Sequence, residues 1–151
     1  MGTRKRIWKG GGRYGLGSVV VCLLSLQRMV LVKDTWFPEP RWKLPGGSIE
    51  PADLSVESAA IRECEEETGI RLLPTEISIH SRSHRVNGVY YPNICIAKVT
   101  EEKLDTRLKF GNENGHRIMT AAFDRTEVPT MLDLLEQHRP LVNETLKALS
   151  I

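Results

Sequence analysis

Gly46-Gly47-Ser48-Ile49-Glu50-Pro51-Ala52-Asp53, running on to Arg62-Glu63-Cys64-Glu65-Glu66-Glu67-Thr68-Gly69-Ile70, is the stretch on which the reading of this chain turns. It predicts a tight glycine turn, a short polar loop, and an acidic helix that stops at Gly69, where a left-handed residue commonly ends a helix. Ser55 is placed to cap the first turn through its side-chain oxygen. Val56, Ala60 and Cys64, flanked by Ala59 and Ile61, make an apolar stripe that faces a core. Glu63, Glu66 and Glu67 gather on another face, because residues three and four apart are helix neighbours. Like charges there repel, and Arg62 is the one cation in the run from Arg62 to Glu67. Either the face is simply hydrated, or its carboxylates hold a hard divalent cation, which takes oxygen ligands and substrate phosphates. The glycine turn just upstream favours the second reading, since bare backbone can approach a phosphate or offer a carbonyl.

Working outward, Trp42-Lys43-Leu44-Pro45-Gly46-Gly47 leads into the turn, and the whole stretch resembles the Nudix box, G-x5-E-x7-R-E-U-x-E-E-x-G-U, with U apolar. Arg62, Glu63, Cys64, Glu66, Glu67, Gly69 and Ile70 match. Two departures stand out: Asp53 replaces the family's glutamate, and its separation from Arg62 is one residue longer. The resemblance implies an α/β fold, a Nudix-type α/β/α sandwich with a central mixed sheet. It implies hydrolysis of a nucleoside diphosphate linked to another moiety, with Mg²⁺, or Mn²⁺ in its place, as cofactor. Glu63, Glu66, Glu67 and the Gly46 carbonyl become metal ligands, Arg62 orients the carboxylates, and Gly47 and Asp53 support them. A longer loop should let Asp53 reach Arg62 with its shorter side chain. Related enzymes often draw a further carboxylate from the loop before the last strand, which here makes Glu113 the expected catalytic partner. Glu101 and Glu102 are its rivals, expected to be solvated.

The chain has 151 residues and a net charge of +2, which suits one domain and does not demand nucleic acid as a partner. Cys22, Cys64 and Cys95 lack metal spacing and read as reduced core thiols, hence an expected cytoplasmic location. No apolar run approaches a membrane span, and the basic start is not followed by the apolar region of a signal peptide. Residues 1–12 read as a basic, glycine-rich tail and 13–151 as a single domain. Gly12, Gly15 and Gly17 precede a strand rather than a helix, so a flexible approach to that strand is expected instead of a phosphate loop.

Ser18–Leu26 is almost wholly apolar and reads as a strand covered on both faces. Met29–Lys33 suggests its neighbour, and Trp36–Arg41 a loop whose Trp36 and Phe37 either anchor it to the core or form a platform for a base. Thr75–Arg85 is extended, Asn87-Gly88 signals a hairpin, and Val89–Val99 returns as a strand with Pro92 at an edge or bulge. Thr100–His116 is expected to be a functional loop, and Arg117–Phe123 a last short strand. Asp124 and Glu127 have capping-box spacing, and Leu134, Leu135, His138, Val142, Leu146 and Leu149 follow helical spacing that Pro140 would kink or split. His80, His84, His116 and His138 share no ligand spacing and read as surface or hydrogen-bonded residues. The partner expected is a small nucleotide: nucleoside triphosphate, nucleotide sugar, ADP-ribose or dinucleoside polyphosphate. A membrane is not expected, nucleic acid is disfavoured, and a homodimer stays open. The alternative reading is a nucleotide-binding module without turnover.

Overall fold

A computed structural model describes residues 12–107 and 118–149. Strand β1 (Ser18–Leu24) lies at the centre of a mixed sheet. It runs parallel to β8 (Asn93–Lys98), from Val19 opposite Asn93 to Leu24 opposite Lys98, and β8 in turn pairs antiparallel with β5 (Ile77–Ser81). Its other edge is shared. At its start β1 pairs with β4 (Gly46–Ser48), and at its end it meets β2 (Arg28–Asp34) through Leu24 and Met29. β2 diverges to pair with β9 (Ile118–Asp124) and with β3 (Trp42–Lys43). The chain from Trp42 to Ser48 therefore bridges a fork, joining β2 at one end and β1 at the other.

Alternation along β1 builds the two cores, since successive side chains point to opposite faces. Val19, Val21 and Leu23 pack with Ala59, Ala60 and Cys64 of α1 (Val56–Thr68). Val20, Cys22 and Leu24 pack with Leu141 and Val142 of α3 (Arg139–Leu149). Both faces of the sheet are covered by helix, which is the α/β/α sandwich expected. All three cysteines are free and buried, and burial pushes the Cys22 thiol up to about 11 and Cys64 to about 12. Among the described residues no helix is long and apolar enough to cross a membrane.

Five local expectations change. Thr100–His116 is not all loop: α2 spans Glu101–Arg107, and the Thr100 hydroxyl accepts the Lys103 N–H at 3.1 Å, capping it. Residues 108–117, with Glu113 and His116, lie outside the described residues. Glu101 is held rather than solvated, by Arg28 Nε at 3.0 Å and the Gln27 N–H at 2.8 Å. Pro92 separates β7 (Val89–Tyr91), which pairs with β6 (His84–Val86) in a two-stranded sheet, from β8. Asp124 caps a turn, accepting from the Thr126 N–H and hydroxyl, not a helix. Helical spacing from Leu134 is realised only from Arg139, where Pro140 in the first turn lacks an N–H that would have no partner anyway.

Candidate active site

Helix α1 begins where the Ser55 hydroxyl accepts the Ser58 N–H at 3.0 Å and ends where the Gly69 N–H reaches the Glu65 carbonyl at 3.0 Å. Its apolar stripe fixes its rotation against the sheet, so Arg62, Glu63, Glu66 and Glu67 are turned toward β4 and the loop behind it. Arg62 is the hub. Its Nε and Nη2 donate to the two oxygens of Asp53 at 3.0 and 2.9 Å, a bidentate fork of the strongest kind of neutralised pair. Nη2 also donates to the Ser48 carbonyl at 3.1 Å, and Nη1 to Glu63 at 3.2 Å and Glu66 at 3.3 Å. Glu50 adds a fourth carboxylate, 3.4 Å from Nη1. The Asp53 hydrogen bond is the main cause that raises the Arg62 pKa, and Arg62 in return holds the Asp53 carboxyl below its ordinary value. Asp53 also closes its own loop, accepting the Glu50 N–H at 2.8 Å.

Backbone without side chains lets the acids sink in. Glu63 and Glu67 are 8% and 6% exposed, and such burial of a carboxylate is costly unless it is paired or coordinated. A Cβ on Gly47 would lie 2.5 Å from a Glu63 oxygen, so only glycine leaves room there. Glu67 accepts the Gly46 N–H at 3.0 Å, and Thr120 of β9 ties the Glu67 carbonyl at 2.7 Å. Among the described residues no three Asp, Glu, His or Cys side chains enclose a cation position as they stand. Arg62 draws Glu63 and Glu66 one way, and Gly46 draws Glu67 another. The donor set still fits a hard divalent ion: it is all oxygen, it is clustered, and its acids exceed the single guanidinium that serves them.

Beside this site a cavity of about 680 Å³ opens, and Gly46, Gly47 and Ser48 form their common wall. Lys43, Asp34, Phe37, Tyr90 and His138 are among its other residues. The Tyr90 hydroxyl accepts the Ser18 N–H at 3.1 Å, which holds the β6–β7 hairpin at the cavity mouth. His138 is buried and its Nδ1 accepts the Leu44 N–H at 3.0 Å, while burial pushes its pKa down to about 3. The ring is therefore neutral, with its proton on Nε2. Phe37 lines the cavity, whereas Trp36 is 60% exposed and is no core anchor.

Sequence reasoning picked out the residues of α1 and its loop. It assigned nothing to Glu50, Lys43 or Asp34 and treated His138 as one unremarkable histidine of four. The sequence signal for a site beside the box was the loop Trp36-Phe37, read as either a core anchor or a platform for a base, and Phe37 lines the cavity.

An antiparallel-and-parallel sheet between helices, with this acidic helix behind a glycine turn, defines a class, and the NUDIX domain model matches residues 15–143. The chain belongs to the NUDIX domain family. Over 70 residues it is 40% identical to a Bacillus subtilis (strain 168) protein described as "Putative 8-oxo-dGTP diphosphatase", a match spanning 46% of this chain and 45% of that relative. Its fold is similar to that of MutT from Aliivibrio salmonicida and Vibrio cholerae (TM-score 0.67, 17% identity, 87% of this chain and 97% of the other). It is similar also to the NUDIX domain of Shewanella oneidensis NrtR solved with ADP ribose (TM-score 0.68, 19% identity, 88% and 87%). At these identities the two structures speak for the fold alone.

Proposed function

We propose that the protein is a divalent-cation-dependent pyrophosphohydrolase that converts a nucleoside triphosphate to the monophosphate and diphosphate. The observation that carries this reading is the shared wall. Gly46 and Gly47 border both the carboxylate cluster and the cavity, so a nucleoside seated in the cavity presents its phosphates to the acids. The partial match to a relative described as a diphosphatase of an oxidised nucleoside triphosphate supports this substrate class.

Glu63, Glu66, Glu67 and the Gly46 carbonyl are the residues that would hold Mg²⁺ or Mn²⁺. A bound cation supplies charge neutralisation on the phosphates and a water of lowered pKa. The chain's own residues do the rest. Arg62 keeps two of the glutamates from swinging apart, and Asp53 keeps Arg62 in place through both of its oxygens. Arg62 is fully engaged by protein oxygens, so it acts as a positioning residue rather than a phosphate ligand. Gly47 keeps backbone and Glu63 in contact. Glu113 is proposed to accept the proton of the attacking water, as a carboxylate near a metal can.

The test is a panel of nucleoside triphosphates, nucleotide sugars, ADP-ribose and dinucleoside polyphosphates incubated with Mg²⁺ or Mn²⁺, with products identified by mass. Monophosphate plus diphosphate from a triphosphate is the expected result. Tight nucleotide binding with no product would mean a binding module instead.

A further inference from the structure

The cavity contains a lysine that the acidic site does not use. Lys43 is half-buried on β3, and among the described residues its ammonium makes no hydrogen bond or ion pair. Partial burial strips water from an ammonium, and no acceptor among the described residues replaces it. Arg41, also in the cavity wall, donates to the Leu132 carbonyl at 3.1 Å, so the two cations differ. The Lys43 charge acts on the His138 ring, which lines the same space.

Strand register supplies its counterpart. Lys43 pairs with Val32, so Asp34, two residues further along β2, stands on the same face as its diagonal neighbour. Such diagonal positions are about 7–8 Å apart. Asp34 lines the cavity, and one of its oxygens accepts the Trp36 N–H at 3.0 Å, which fixes the carboxylate. A donor and an acceptor are thus held side by side on paired strands. Lys43 precedes Gly46 by three residues, a span of at most about 10 Å of chain, which is within the reach of a nucleoside from base edge to phosphate.

We propose that Lys43 and Asp34 read the base and select guanine over adenine: Lys43 donates to the carbonyl oxygen at C6, and Asp34 accepts from the N1–H and the 2-amino group. Adenine presents the reverse order at this edge, an amino donor at C6 and a bare N1 acceptor, so it meets donor with donor and acceptor with acceptor. Oxidation at C8 leaves the edge unchanged, so an oxidised guanine nucleotide is admitted by the same pair. This inference rests on the triphosphate reading above and deepens it.

The experiment compares kcat/KM for dGTP and dATP in the unaltered protein, Lys43→Met and Asp34→Asn, with melting curves to establish folding. In parallel, calorimetry measures GMP and AMP binding. Paired hydrogen bonds to one base edge discriminate by about 10- to 100-fold, so dGTP should lead dATP by at least about tenfold. Both variants should bring the ratio near unity, through a higher KM for dGTP. A ratio near one or favouring dATP in the unaltered protein overturns the proposal, as does a preference that survives both substitutions. If no deoxynucleoside triphosphate is hydrolysed, the functional reading fails, and the monophosphates decide this inference alone. GMP binding that exceeds AMP binding and falls in Lys43→Met upholds it, and equal binding overturns it.

Discussion

The two halves of this site are built on opposite terms. Around Arg62 every donor is spent: three nitrogens meet Asp53, Glu63, Glu66 and the Ser48 carbonyl, all from α1, the loop before it and the end of β4. Across Gly46-Gly47, the cavity draws its residues from β2, β3, the β6–β7 hairpin and the segment before α3, and Lys43 has no bonding partner among the described residues. The first half is saturated and local, as chemistry that must hold one geometry requires. The second is assembled from distant segments and keeps polar capacity in reserve, as a surface that recognises a ligand requires. Chemistry should therefore respond to changes in the box, and selectivity to changes in the cavity.

The sharpest break of that contrast lies at the acids. Glu66→Gln or Glu67→Gln removes a charge while keeping the shape, and turnover should fall about 10²- to 10³-fold at limiting Mg²⁺, since ligation is worth several kcal/mol in the transition state. The melting temperature should hold or rise slightly as like-charge repulsion is relieved. Steady-state rates and melting curves check both halves of this expectation, and near-normal rates in both variants would remove the metal site from α1. Glu113→Gln should cost about 100-fold or more if that carboxylate accepts the proton, the scale of a general base. Glu102→Gln, measured beside it, should cost little, and equal small effects would return water activation to the acids of the box.

Gly47→Ala comes next. Its methyl group would sit 2.5 Å from a Glu63 oxygen and push that carboxylate away from its place beside Arg62. A tenfold to hundredfold weakening of Mn²⁺ binding is expected, about what loss of a supporting contact costs, and titration of the ion checks it without reference to rate. An unaltered Mn²⁺ affinity would show that Glu63 takes no part in holding the cation.

The smallest effect on catalysis belongs to His138, whose role tests the rigidity of the cavity wall. Its folded pKa of about 3 lies below the ordinary 6.5, so the unfolded chain binds the extra proton first. Its contribution is complete above pH 6.5 and is lost as pH falls from there toward about 3, by about 1.4 kcal/mol per pH unit. His138→Gln keeps an acceptor for the Leu44 N–H and removes the titration. Melting measured between pH 7 and 4 should show a shallower decline in that variant, and identical slopes would mean that the histidine is not buried neutral.

Legibility followed the same division. β1 is apolar from Val19 to Leu24 because helices cover both of its faces, and α1 announces itself by cap, stripe and stop within fifteen residues of sequence. The fork at Arg62 is local, so its members stand close together in the chain. The segments that escaped are those decided by distant partners. Met131–Gln137 has helical spacing, yet the Trp42 N–H bonds the Asp133 carbonyl and the Leu135 N–H bonds the Trp42 carbonyl, so β3 claims this backbone before a helix can. α2 carries no apolar period long enough to be read, and its position is set by Arg28, far earlier in the chain, bonding Glu101 and Asp105. Lys43 and Asp34 are neighbours only because β2 and β3 pair in one register.

That register has a consequence for how far this molecule can vary. Trp42–Ser48 leaves β2, crosses the fork and joins β1, with both ends fixed by ladder pairs. It is a ruler fastened at its two marks. Lys43 stands at one mark and Gly46-Gly47 at the other, so in the proposed function the distance between base and phosphate would be a property of the four residues from Lys43 to Gly46. Inserting one residue there would move base and phosphate out of step together, whatever the walls of the cavity became. On the proposed function, new selectivity would arise in the loops on either side of this span, whereas its length would be bound to the length of a nucleotide.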